Sequence, residues 1–168
     1  MKKFILALAV VLSATCLQAQ TKVGTIDADY ILGQMPEISK VEEGLKTYNT
    51  ELQAELETSI KKYEDLIAAY QANKSTYTEE EKPLKESEIM EVENEIKNFR
   101  QKASVLVQMR RNELTKPFYL KIDEAMKAVI SAQGYTQIFN TSANGLAFAD
   151  PKFDITDVVM EKLGIVVK

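Results

Sequence analysis

The chain contains no histidine, which removes imidazole acid–base chemistry and histidine-ligated metal centres together. Glycine is sparse, and Gly24 stands alone with no phosphate-cradling loop around it, so no nucleotide motif is present. A surplus of basic charge is also missing: 21 Lys and Arg stand against 25 Asp and Glu, for a net charge of −4. That balance disfavours nucleic acid and anionic membrane surfaces as general partners, since both need a basic footprint, though it leaves room for a local basic patch. No apolar run approaches the ~20 residues a membrane-spanning helix requires, so stable membrane insertion is not expected. Neither an enzyme activity nor a cofactor is expected. Glu79-Glu80-Glu81 reads as a solvated helix start favoured by the helix dipole before it reads as a cation site. Asp150 and Asp154 flank a turn and read as turn and capping residues rather than paired catalytic carboxylates. Arg110-Arg111 reads first as a solvated or salt-bridged face and second as a lipid contact.

What is present begins with a leader. Met1-Lys2-Lys3 is a basic head, Phe4 to Leu12 is an unbroken apolar run, and small and polar residues follow to Gln20. This is the order of a secretory signal with cleavage after Ala19, giving a signal peptide over 1–19 and an exported, periplasmic product. The only cysteine, Cys16, is preceded by Ser13-Ala14-Thr15, a poor match to a lipid-attachment site, so lipid anchoring is not expected. The processed chain then has no cysteine and no disulfide, and its stability comes from packing. Loss of Lys2 and Lys3 leaves 19 basic and 25 acidic side chains, a net charge of −6.

The processed chain reads as strand, long helix, turn, long helix, two strands and a short helix. From Ile38 to Tyr70 apolar residues fall at 38, 41, 45, 48, 52, 56, 60, 63, 67 and 70. These steps of three and four form a heptad seam, locally unwound near Leu52 to Ile60. So narrow a stripe needs a partner helix rather than a globular core. Ile89, Val92, Ile96, Phe99, Ala103 and Leu106 repeat the spacing. The polar stretch Asn73 to Pro83 predicts the turn, and Thr78 three residues before Glu81 predicts a helix N-cap with its reciprocal partner. Two such helices must run antiparallel, reaching roughly 60 Å at 1.5 Å per residue. Gly44 and Pro117 break helical rules. They mark a hinge or kink, or else Gly44 is simply tolerated and Pro117 begins a new helix.

Phe118, Ile122, Met126 and Val129 continue an amphipathic helix stopped by Gly134. Lys22 to Asp27, Tyr135 to Phe139 and Leu146 to Phe148 read as short strands, the last two joined across a loop ending in the turn pair Asn144-Gly145. Asp154 or Thr156 caps a last helix bearing Val158, Val159 and Leu163. Three short strands are too few for a sheet with two buried faces. Val23, Ile26, Ile138, Leu146 and Phe148 therefore call for cover from further copies, and a closed barrel of several chains would remove the open edges. The expected fold class is α+β: a long antiparallel coiled-coil helical hairpin (arm, 37–116) on a small β-body (20–36 and 117–168), within one domain over 20–168.

The C-terminal third carries a resemblance. Ile122, Ala125 and Val129, then Gly134-Tyr135, Ile138-Phe139, Leu146-Ala147-Phe148-Ala149-Asp150-Pro151 and Asp154-Ile155-Thr156 resemble the Skp (OmpH-like) family of periplasmic chaperones. Lys22-Val23-Gly24-Thr25-Ile26-Asp27 and Pro36-Glu37 are similar to the family's opening strand and helix entry; the arms match only in periodicity. The resemblance implies a homotrimer joined by a β-barrel body, with three hairpins around a cavity, and ATP-independent capture of unfolded outer-membrane proteins. The best-known members are strongly basic and this chain is acidic, so no lipopolysaccharide-binding residues are carried over. Apolar residues off the two seams are the expected client contacts: Leu66, Leu84, Met90, Val105, Val107 and Met109, some of which would instead widen the seam. The rival reading is an exported coiled-coil structural or adaptor protein of the envelope, which would bind one folded partner.

Overall fold

The computed structural model describes residues 21–142 and 145–166. The leader, with Cys16 and the cleavage point after Ala19, lies outside them, as does Asn144 of the expected turn pair. Among the described residues no helix is long and apolar enough to cross a membrane. The element order is strand β1 (Val23–Ile26), helix α1 (Ala28–Gln34), helix α2 (Ile38–Asn73), helix α3 (Glu81–Gln133), strand β2 (Gln137–Asn140), a 3-10 turn (Pro151–Phe153) and helix α4 (Thr156–Lys162). The chain divides into two units, one formed by 36–117 and the other by the described residues up to Met35 together with those from Phe118 onward.

The first unit is the hairpin. All ten apolar positions of the α2 seam are buried or half-buried, as are the six expected on α3. The seam closes in the antiparallel sense: Gly44 lies beside Leu114, Leu52 and Leu56 beside Phe99 and Ala103, and Tyr70 beside Glu86. At Gly44 an added Cβ would stand 3.1 Å from the Leu114 Cδ1, the end of a flexible side chain. The turn is fixed by the expected reciprocal cap: the Thr78 N–H donates to Glu81 Oε2 at 2.8 Å and the Glu81 N–H donates to Thr78 Oγ1 at 3.2 Å. The Tyr70 and Tyr77 rings stack with centroids 6.0 Å apart, and the Tyr70 hydroxyl donates to Glu86.

Pro117 does not begin a new helix. It lies inside α3, where an interior proline costs ~3 kcal/mol.

In the second unit β1 and β2 pair in parallel, with Val23 opposite Gln137 and Ile26 opposite Asn140. On the other edge of β1, Thr25 bridges Asp154, and the Ile155 N–H donates to the Thr25 carbonyl at 2.9 Å. Both edges of β1 are therefore occupied. Gly24 is required at its centre, since a Cβ there would lie 2.7 Å from Tyr135 Cε1, 2.9 Å from Ile138 Cδ1 and 2.9 Å from the Phe153 carbonyl oxygen. Helix α3 ends at Gly134, in the left-handed region at φ 69°. Helix α1 is an addition to the sequence reading: Asp27 caps it by accepting from the Tyr30 N–H at 2.9 Å, and it buries Ile31 and Leu32. With Ile155, Val159 and Met160 these residues give the unit a core within a single chain.

The expected third strand, Leu146 to Phe148, does not form in the single chain. The chain leaving β2 is tied aside instead of folding back. The Thr141 N–H donates to the Ile26 carbonyl at 2.8 Å, the Asn140 side-chain oxygen accepts from the Ala28 N–H at 3.3 Å, and the Ser142 hydroxyl donates to Asp27 at 2.7 Å. These bonds spend the turn residues on the cap of α1, so Leu146 to Phe148 reaches no ladder.

Candidate functional surfaces

Side chains that folding leaves unsatisfied identify two surfaces, one in each unit. On the hairpin the seam consumes most apolar residues. Of those off the seam, Leu84 is 69% exposed, Met90 60%, Val105 57% and Met109 63%. Leu66 and Val107 are half-buried and line shallow grooves, that of Val107 between the two helices and that of Leu66 along α2. The Val107 groove, of ≈ 450 Å³, has a floor of Leu52, Leu56, Phe99 and Ala103 and a rim of Asn49, Gln53 and Ser104. The Leu66 groove, of ≈ 410 Å³, is edged by Thr58, Lys61, Lys62 and Asp65.

Several of the polar residues singled out from the sequence have structural partners. Glu81 closes the α3 cap, and the two Thr78 donors hold its carboxyl below the usual carboxylate range. Glu79 pairs with Lys82 at 2.5 Å. Arg110 pairs with Glu113 at 2.7 Å and lies over the Tyr48 ring at 5.8 Å. Asp150 accepts from the Lys152 N–H at 3.1 Å and pairs with its ammonium at 2.6 Å, which holds the Asp150 carboxyl low. Asp154 accepts from the Thr156 N–H at 2.8 Å and from its hydroxyl at 2.5 Å. The Thr156 hydroxyl oxygen in turn accepts from the Asp27 N–H at 2.9 Å. Asp154 and Thr156 thus staple α4 to the end of β1, while Asp150 fixes the 3-10 turn. Among the described residues no group of three acidic side chains is gathered as a cation site.

In the second unit the two faces of the sheet differ. Ile26 and Ile138 lie on the inner side, lining a small cleft with Tyr119, Ile122 and Met126. Ile26 is fully covered by its own chain. The opposite side is open. Val23, Phe139, Leu146 and Phe153 are all more than a third exposed and Phe148 is 81% exposed. They surround a cavity of ≈ 700 Å³ that also touches Gly24, Thr25 and Asp150. These exposed apolar side chains lie together on one side of the sheet. The sequence reading named Val23, Leu146 and Phe148 but missed Phe139 and Phe153. The signal for Phe139 was the strand alternation, which sends it to the face opposite Ile138. For Phe153, which follows Asp150-Pro151 in a 3-10 turn, no periodic signal existed.

Comparison with known proteins gives a coherent result. The family model described as "Outer membrane protein (OmpH-like)" matches residues 22–163. A crystal structure of a candidate outer membrane chaperone (OmpH-like) from Caulobacter crescentus CB15 superposes with a TM-score of 0.60 at 21% sequence identity, covering 86% of this chain and 85% of the other. At that identity the match speaks to the fold. No curated protein matches the chain.

Proposed function

We propose, from the premise that this chain belongs to the OmpH-like outer membrane protein family, that it is a periplasmic, ATP-independent holdase chaperone. It binds unfolded outer-membrane proteins between helical arms and prevents their aggregation. It works as a homotrimer whose bodies join through the open sheet face, without cofactor or catalysis. The observation that carries the reading is the set of exposed apolar side chains spaced along a hairpin whose own seam is already filled. Residues that pack nothing in the free protein, on a long charged scaffold without deep pockets, suit many weak contacts with variable chains. Met90 and Met109 suit them further, being flexible and polarizable. Individually weak contacts on several arms sum through avidity. The Caulobacter crescentus protein, named as a candidate outer membrane chaperone, supports the reading.

The test dilutes a denatured outer-membrane β-barrel protein from urea with and without the processed chain. Turbidity should fall to baseline once trimer is in excess, and light scattering of the chaperone alone should give a three-chain mass. Unchanged aggregation at excess chaperone defeats the holdase reading. Stoichiometric capture of one folded envelope protein, with no affinity for unfolded chains, would replace it with the adaptor role.

A further inference from the structure

We infer that the Val107 groove captures unfolded polypeptide segments in which apolar side chains are bracketed by two carboxylates. The inference rests on the holdase reading and adds to it a site and a sequence preference. It starts from a change of charge along α3. From Glu79 to Glu95 the chain carries eight acidic and two basic side chains; from Lys97 to Lys116 it carries six basic and one acidic. Five lysines elsewhere each have a carboxylate within 3.1 Å. In the basic stretch only Arg110 has one, Glu113. Lys97, Arg100, Lys102, Arg111 and Lys116 are exposed and make no ion pair among the described residues. Arg100 and Arg111 also have no acidic residue three or four positions away on either side, where a helical partner would have to sit.

Arg100, Ser104, Val107 and Arg111 are spaced by four, three and four residues, which places them along one flank of α3. Ser104 and Val107 line the groove, over Leu52, Leu56 and Phe99. Arg100 therefore stands at the Phe99 end of the groove lining, and Arg111 stands about a turn beyond its Val107 end. Eleven residues of helix span roughly 16 Å, the length of about five residues of extended chain. A guanidinium grips a carboxylate through two parallel hydrogen bonds, and an apolar floor accepts the side chains between. The occupant this geometry fits is an extended segment with acidic residues about four or six apart, an even spacing that keeps both on one face, and leucine or phenylalanine between them. A continuous polyanion fits poorly, because the acidic run Glu79–Glu95 adjoins the stretch and repels it.

The experiment uses the full processed protein and a fluorescent unstructured peptide with two glutamates about four or six positions apart around Leu and Phe. A second peptide has lysines for the glutamates, and anionic phospholipid vesicles form a third arm. The acidic peptide should bind, and the lysine peptide should bind roughly tenfold or more weakly. The double variant R100E/R111E should reverse that preference, and S104W should weaken the acidic peptide by filling the groove without touching charge. An unchanged preference in R100E/R111E overturns the inference, as does binding of vesicles but not of the acidic peptide through these arginines. Suppression of aggregation is measured beside it. If aggregation is still suppressed while the peptide preference is unmoved by R100E/R111E, the groove is wrong and the holdase reading stands. If the peptide binds as described but aggregation is not suppressed, the groove stands and the holdase reading falls.

Discussion

Alanine at three glycines of the second unit should move stability in different directions, and the structure fixes each sign. At Gly24 an added Cβ meets Tyr135 Cε1 at 2.7 Å, Ile138 Cδ1 at 2.9 Å and the Phe153 carbonyl oxygen at 2.9 Å. Three contacts inside 3.0 Å, one of them with backbone, cannot all be relieved by a side-chain rotation. Overpacking of this kind costs about 1–3 kcal/mol, against a gain of about 0.4–1 kcal/mol from a stiffer unfolded chain. The net expectation for G24A is a loss of about 1.3 kcal/mol, or roughly 5–10 °C in the melting of a unit this size. Gly33 sits in α1 with nothing within 4 Å of the added carbon, so G33A should gain about 0.5–1 kcal/mol. Gly134 is equally open, but its φ of 69° is left-handed; G134A should lose about 1–2 kcal/mol through strain alone.

The assay is hydrogen exchange of the Val23–Ile26 amides together with thermal melts, because ellipticity alone is dominated by the long helices of the other unit. G24A melting at or above the parent would refute the close packing of β1, Tyr135 and Phe153. G24A and G33A moving together would show that the two sites differ in no way that matters.

Three further outcomes follow from the hairpin. The Glu81 carboxyl is held below 4.5 by Thr78, so the cap adds stability above the unfolded value and loses it as pH falls through the lowered folded one. An NMR titration should show that low midpoint, and T78A should return it toward 4.5 while costing about 1 kcal/mol at neutral pH. The Tyr70 hydroxyl is raised above 10.0, chiefly by its hydrogen bond to Glu86. Its contribution is therefore complete below 10.0 and is lost as pH climbs through the raised value; E86Q should bring the phenol absorbance titration of Tyr70 back down. G44A should stabilise α2 by up to about 1 kcal/mol, since its Cβ meets only the movable end of Leu114 at 3.1 Å. A loss of several-fold more, read by urea melts, would mean that the helices cannot separate there.

Much of this architecture was legible because it is periodic or local. The seam positions repeat every three or four residues, so Ile38 to Tyr70 could be placed without knowing the partner. Thr78 with Glu81, and Gly134, are local signals whose geometry depends on few neighbours. The misses share a different cause. Helix α1 is only seven residues with Gly33 inside it, too short for a period, and its existence depends on Asp27 capping it and on a core for Ile31 and Leu32. The stretch Leu146 to Phe148 has strand composition, but composition reports fitness for a pleated surface and not whether an edge is available. Pro117 lies inside α3, where local rules alone predict a break. Among the candidate client contacts, the sequence shows which residues lie off the seam. It does not show that Leu66 and Val107 sit in grooves while Leu84, Met90, Val105 and Met109 project outward.

The core of the second unit changes what self-association is for. The sequence reading rested oligomerisation on a shortage of apolar cover. Yet Ile26, Ile31, Ile155, Val159 and Met160 are buried by one chain, so the single unit already has a reason to fold. What remains open is one side of the sheet, where Phe148 is 81% exposed. On the trimer reading, cover for Phe148 contributes about 1.5–3 kcal/mol per chain, enough to shift assembly by one to two decades in concentration. The variant F148S should therefore dissociate on dilution, as read by light scattering, while the separated chain keeps its β1 exchange protection. Loss of that protection together with the mass would mean that the unit folds only by assembling, and that its internal core is too small to stand alone. Retained mass in F148S would place the joining surface elsewhere.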